Sequence, residues 1–141
     1  LPHQARDEAQ LADIARGAYI LEGGDDMPDA IVIATGSEVG ICREAVAKMI
    51  AEGAKVRLVS MPSADVFEAQ DESYRERILP AAVRKRVAVE PSSVDYWYKF
   101  VGLDGHVLGM RSFGESAPGA MLMKEFGFTA ENVTSIVRSL L

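Results

Sequence analysis

Apolar positions along this chain follow two different periods. At 29–35, "DAIVIAT", they run without a break through β-branched Ile31, Val32 and Ile33. That is the pattern of a strand buried on both faces, which shows water at no alternate residue. The period then changes. Val39, Cys42, Val46, Met49 and Ile50 fall on one helical stripe. Glu44 and Lys48, four residues apart, form a favourable pair on another face, and Gly53 stops the helix. Thr35 and Glu38 have the spacing of a capping box. The strand signal returns in "AKVRLVSM" (54–61) and "RVAVE" (86–90), with shorter versions in "AYIL" (18–21) and "HVLGM" (106–110).

Helical patterns lie between and around these strands. Leu11, Ile14 and Ala15 predict a short helix within 8–17, ended by Gly17. The acidic connection 63–80 reads as helical in its second half, up to Leu79. "SSVDYWYKFVG" opens on serine caps and runs to Gly102. "SAPGAMLMKEFG" places Pro118 in a first turn and Gly127 past its end. Val133, Ile136, Val137 and Leu140 form the last stripe, capped by Thr129. Strands alternating with helices predict an α/β domain with a mostly parallel sheet between helices, and 1–141 as a single domain.

Composition narrows the function classes. Hydrophobic residues make up 48% of 141 and charged residues 26%, enough for a real core. The net charge of −6 and the isolated basic run in "VRKRVAV" speak against nucleic acid, which needs a dense basic face. No apolar stretch reaches membrane-spanning length, so no membrane partner is expected. The one cysteine, Cys42, fits a reducing, cytoplasmic setting. A start at Leu1 with no methionine is expected of a fragment, a processed product or a trimmed piece.

Candidate chemistry is sparse. "ATGSEVG" (34–40) puts Gly36 and Ser37 at a strand-to-helix turn, where backbone amides can hold a phosphate. The turn lacks the third glycine of a dinucleotide fingerprint and the lysine of a P-loop, and Glu38 adds a negative charge. Two readings follow: a structural corner in which Gly40 lets the helix lie close on the sheet, or a weak anion site at Gly36 and Ser37. His3 and His106 have no partners at metal-ligand spacing. Cys42 sits on an apolar stripe, as a buried and inert thiol would. Asp25–Asp26 and Asp71–Glu72 lie in polar loops, where carboxylates stay solvated. No catalytic, cofactor-binding or metal-binding residue is assigned.

The helix "DYWYKF" (95–100) holds the single tryptophan. Tyr96, Trp97, Tyr98 and Phe100 cannot all face one sheet at about 100° per residue. They predict either a thick core or a helix that also touches another domain or subunit.

Taken together, "IATGSEV", "EGAKVRLVSMPS", "YRERILP", "RVAVEPSSVDYWYKFVGLDG", "SFGESAPG" and "EFGFTAENV" resemble the C-terminal domain of transketolases, in that family's order and over essentially the whole chain. "EPSS" (90–93) departs from it where small residues are expected after the glutamate. The resemblance implies a three-layer α/β/α fold with a five-stranded mixed sheet, "AYIL" being the one antiparallel strand. It implies a longer enzyme that moves a two-carbon ketol unit from a ketose phosphate to an aldose phosphate. That enzyme uses thiamine diphosphate and a divalent metal, usually magnesium, and works as a homodimer. It holds cofactor and sugar phosphates in its N-terminal and middle domains. Those domains carry the family's diphosphate motif and its activating glutamate, which are absent here. The remaining expectations are the same domain of a dihydroxyacetone synthase or a 1-deoxyxylulose-5-phosphate synthase, or a free-standing module that binds a small anion.

Overall fold

The computed structural model describes residues 12, 14–89, 94–108 and 129–141, without the side chains at 37, 94–96 and 98. Five strands form one sheet: β1 (Tyr19–Glu22), β2 (Ala30–Ala34), β3 (Val56–Ser60), β4 (Arg86–Val89) and β5 (His106–Leu108). Their spatial order is β1-β3-β2-β4-β5. All neighbours are parallel except β1, which runs antiparallel to β3 with a register shift between Ile20 and Glu22. Every residue of β2 is buried, as its unbroken apolar run predicts, and so is every residue of β3, Arg57 and Ser60 included.

Helices cover both faces. On one lie α1 (Val39–Ala51) and α5 (Ala130–Leu140). Cys42, Ala45, Val46, Met49, Val133 and Val137 pack there against Ala30, Val32, Ala34 and Val87. On the other lie α2 (Ala64–Glu68), α3 (Glu72–Ile78) and α4 (Val94–Val101). Phe67, Tyr74, Ile78, Trp97, Phe100 and Val101 meet Ile31, Ile33, Val59 and Ala88. The alternation along β2 therefore feeds two separate cores. No described helix is long and apolar enough to cross a membrane.

The long connection differs from its expected form. It holds two short helices, each with its own cap: Ser63 Oγ accepts from the Val66 amide at 3.3 Å, and Asp71 Oδ1 accepts from the Tyr74 amide at 2.9 Å. Thr129 caps α5 as expected, its Oγ1 accepting from the Asn132 amide at 3.1 Å. Thr35 does not act as a capping box. Its backbone is extended and its side chain makes no cap hydrogen bond, because a 3-10 turn at Gly36–Glu38 intervenes before α1. The expected helix in 116–127, and "EPSS" and "FGESAP", lie outside the described residues.

One row of the sheet is polar at both ends. Ile31 is in register with Arg57 on β3 and with Arg86 on β4, so all three side chains point to the same face. Arg57 is 1% exposed. Its Nη1 donates to the carbonyls of Arg77 and Ile78 at 3.0 and 3.1 Å, and its Nη2 to Asp26 O at 3.1 Å. Arg86 Nη2 donates to Leu79 O and Pro80 O, Nη1 to Phe100 O at 2.7 Å, and Nε to Val83 O. The last carbonyls of a helix have no partner within it, and cations are favoured beside them. Two strand arginines supply both needs at the end of α3. Burial pulls both guanidinium pKa values down.

Candidate functional site

In open α/β sheets, ligands gather beyond the carboxyl ends of the strands, where the strand order reverses. Here β2 is that point: the chain leaves it for β3 on one side and later returns to β4 on the other. The residues there are Thr35 and Gly36. Gly36 takes φ +55, a left-handed value that a side chain would strain. It is exposed, and a Cβ built on it would meet nothing within 4 Å. Glycine serves the backbone angle of this turn, with no close approach of another described segment to accommodate.

Glu38 is 3% exposed and sits at the N-terminus of α1, where a bound anion would otherwise be favoured. Its carboxylate lies close enough to reach Cys42 electrostatically. Burial, and then Glu38, push the Cys42 thiol from 9.0 up to about 12. Such a thiol carries almost no thiolate near neutral pH. Cys42 is expected to resist thiol reagents at pH 8 while folded and to react only on unfolding. The linkage has a definite sign. Above pH 9 the unfolded thiol ionises and the folded one does not, so this contribution to stability falls as pH rises through 9 towards 12. Thiol titration against pH, with and without denaturant, checks both statements.

Gly40 does not do what its position in the motif predicts. It is exposed, and a Cβ there would meet nothing within 4 Å. It follows Val39 by one residue, about 100° around the helix from the stripe that faces the sheet. Gly40→Val is therefore expected to leave the denaturation midpoint unchanged or slightly raised, since glycine is the poorer helix former. A strong loss would restore the close-packing role.

The other candidate positions separate. Ser37 Oγ and the side chains of Tyr96 and Tyr98 are outside the described positions. Trp97 and Phe100 are 5% and 8% exposed, with ring centroids 5.4 Å apart, and both belong to the core beneath α4. Among the described residues no group of three or more His, Cys, Asp or Glu side chains is placed to hold a metal ion, so these residues do not fit a divalent metal. Asp25 bonds Arg77 Nε at 3.0 Å at the surface, and Asp71 is a helix cap. His106 is exposed at the start of β5.

Open clefts lie at the opposite end of the sheet, by the amino ends of the strands. One of about 400 Å³ is bordered by Arg84, Arg86, Lys99, Leu103 and Asp104. Its cations are occupied within the domain: Arg84 pairs with Asp104, Lys99 with Glu68, and Arg86 with backbone carbonyls.

The architecture is thus a five-stranded mixed sheet with one antiparallel edge strand, helices on both faces, and a buried glutamate, Glu38, at the strand-end corner. Comparison with known proteins agrees with that class. Residues 17–129 match the model of the transketolase-like TK C-terminal domain. The chain is 55% identical over 141 residues to Transketolase 1 of Escherichia coli K12 and to Transketolase 2 of Aliivibrio fischeri. Each alignment covers 100% of this chain and 21% of the relative, so the chain spans about a fifth of their length. Among solved structures, the transketolase of Leishmania mexicana superposes with a TM-score of 0.81 at 37% identity, covering 93% of this chain and 19% of that one. The chain belongs to the transketolase-like C-terminal domain family.

Proposed function

We propose that this chain is one domain, the C-terminal domain of a longer transketolase. The whole enzyme would transfer a two-carbon ketol unit from a ketose phosphate to an aldose phosphate in the cytoplasm, as a homodimer. The observation that carries this reading is the 55% identity to transketolases along all 141 residues, which occupies only 21% of their length. Thiamine diphosphate, the divalent metal and the sugar phosphates would be held by the N-terminal and middle domains. This assignment is supported by the share of the relatives' length that lies outside this chain, which covers 21% of them.

The domain's own contribution would be structural: a rigid body that the rest of the polypeptide and its dimer partner pack against, with Tyr96 and Tyr98 on α4 as the contact. The alternative of a free-standing anion module at Gly36 and Ser37 is disfavoured by the negative charge at Glu38. The test is ketol transfer between sugar phosphates by the longer protein, with thiamine diphosphate and magnesium present. Transfer is expected, with loss when either cofactor is withheld. A longer protein that lacks the activity under those conditions would overturn the reading.

A further inference from the structure

The row Arg57–Ile31–Arg86 ties together three segments that are far apart in sequence. Arg57 holds the end of α3 through Arg77 O and Ile78 O, and the β1–β2 loop through Asp26 O. Arg86 holds the next two carbonyls of the same strap, Leu79 O and Pro80 O, and the end of α4 through Phe100 O. The strap from 77 to 80 is therefore held at 77 and 78 by Arg57 and at 79 and 80 by Arg86, and each arginine reaches a second segment on its own side.

Two glycines repeat this division. A Cβ at Gly23, in the β1–β2 loop, would lie 2.5 Å from Val56 O and 2.9 Å from Arg57 Cα. A Cβ at Gly105, in the turn between α4 and β5, would lie 2.7 Å from Arg86 O and 2.5 Å from Val101 Cβ. Gly23 thus seats its loop on the backbone of Arg57, which also holds that loop through Asp26 O, and Gly105 seats its turn on the backbone of Arg86, which holds the end of the helix leading into the turn through Phe100 O. Buried carbonyls stripped of their donors are costly, so a partly open arrangement gains little over a fully open one. That is the physical condition for cooperative opening.

We infer that the β1–β2 loop, the 77–85 strap and the α4–β5 turn form one conformational unit, coupled through Arg57 and Arg86, which opens as a whole while the rest of the fold stays closed. The direct readout is native-state amide exchange on the whole protein at low denaturant. Four amides report the unit: Asp29, bonded to Lys55 O; Leu79, bonded to Arg75 O; Val83, bonded to Pro80 O; and Gly105, bonded to Gly102 O. Their exchange is expected to merge into one denaturant dependence, below that of amides inside α1. Gly105→Ala, at one end of the unit, is expected to speed exchange at Asp29, at the other end, at least tenfold and by as much as at Val83. Separate denaturant dependences for the four amides would overturn the inference. So would a Gly105→Ala effect confined to the turn and the strap. The denaturant series needs no variant, so it decides the matter even if Gly105→Ala fails to fold.

Discussion

Trp97→Ala is expected to lower the stability of the isolated domain by about 3–5 kcal/mol, the cost of emptying a large aromatic site in a closed core. The ring is 5% exposed, leans on Phe100 at 5.4 Å and shares its core with Ile31, Phe67, Tyr74 and Val107. These are contributions from the sheet and from two other helices, so no single neighbour can collapse into the gap. Phe100→Ser is expected to fall in the same range, because it removes a ring of 8% exposure and leaves a hydroxyl in an apolar site. Equilibrium urea unfolding checks both. If either change left the domain's midpoint in place and weakened only a larger assembly, the ring would be a contact residue, contrary to its placement here.

The second large effect concerns the buried charge. Arg57→Met is expected to destabilise by about 3 kcal/mol, even though it replaces a buried cation with a side chain of similar length that needs no hydrogen bonds. Substitution of a buried ion pair by apolar groups is often tolerated, because both charges leave together. Here no carboxylate leaves with the arginine. The carbonyls of Asp26, Arg77 and Ile78 stay behind without their donors, and two of them lie at a helix C-terminus where positive charge is favoured. Arg57 Nε has no hydrogen-bond partner among the described residues, so the group already bears part of its desolvation cost. Urea midpoints for Arg57→Met and Arg57→Lys separate the two effects. The lysine variant keeps the charge and is expected to retain part of the loss. A neutral methionine variant would mean that the carbonyls find other donors.

Much of this architecture was legible along the chain. The runs at 29–35, 54–61 and 86–90 became Ala30–Ala34, Val56–Ser60 and Arg86–Val89, because short segments rich in valine and isoleucine between turn residues are best buried as strands. The α1 stripe and the Thr129 cap are in place. Periodicity did not reveal that β1 runs antiparallel, because four half-buried residues carry no direction; that expectation came from the family resemblance. The helix α2 was missed although Ser63 marked its start, because five residues are too few for a hydrophobic stripe.

The motif predicts close packing at Gly40, while the stripe beside it places position 40 on the outer face, where the structure has it. Arg57 drew no attention inside a strand pattern. Only the register with Ile31 and the helix end above it show why a charge is buried there. At the strand-end corner, the sequence contained the decisive residue, Glu38, but not its burial. A charged side chain in a first helical turn is ordinarily at the surface, and its enclosure depends on how the 3-10 turn delivers it.

The central claim is that this domain belongs to a thiamine enzyme yet holds none of its cofactor. Calorimetric titration of the 141-residue chain with thiamine diphosphate and magnesium tests it most directly, with the longer protein titrated alongside. The account predicts saturable heat from the longer protein and none from the chain alone. Saturable micromolar binding by the chain alone would contradict it.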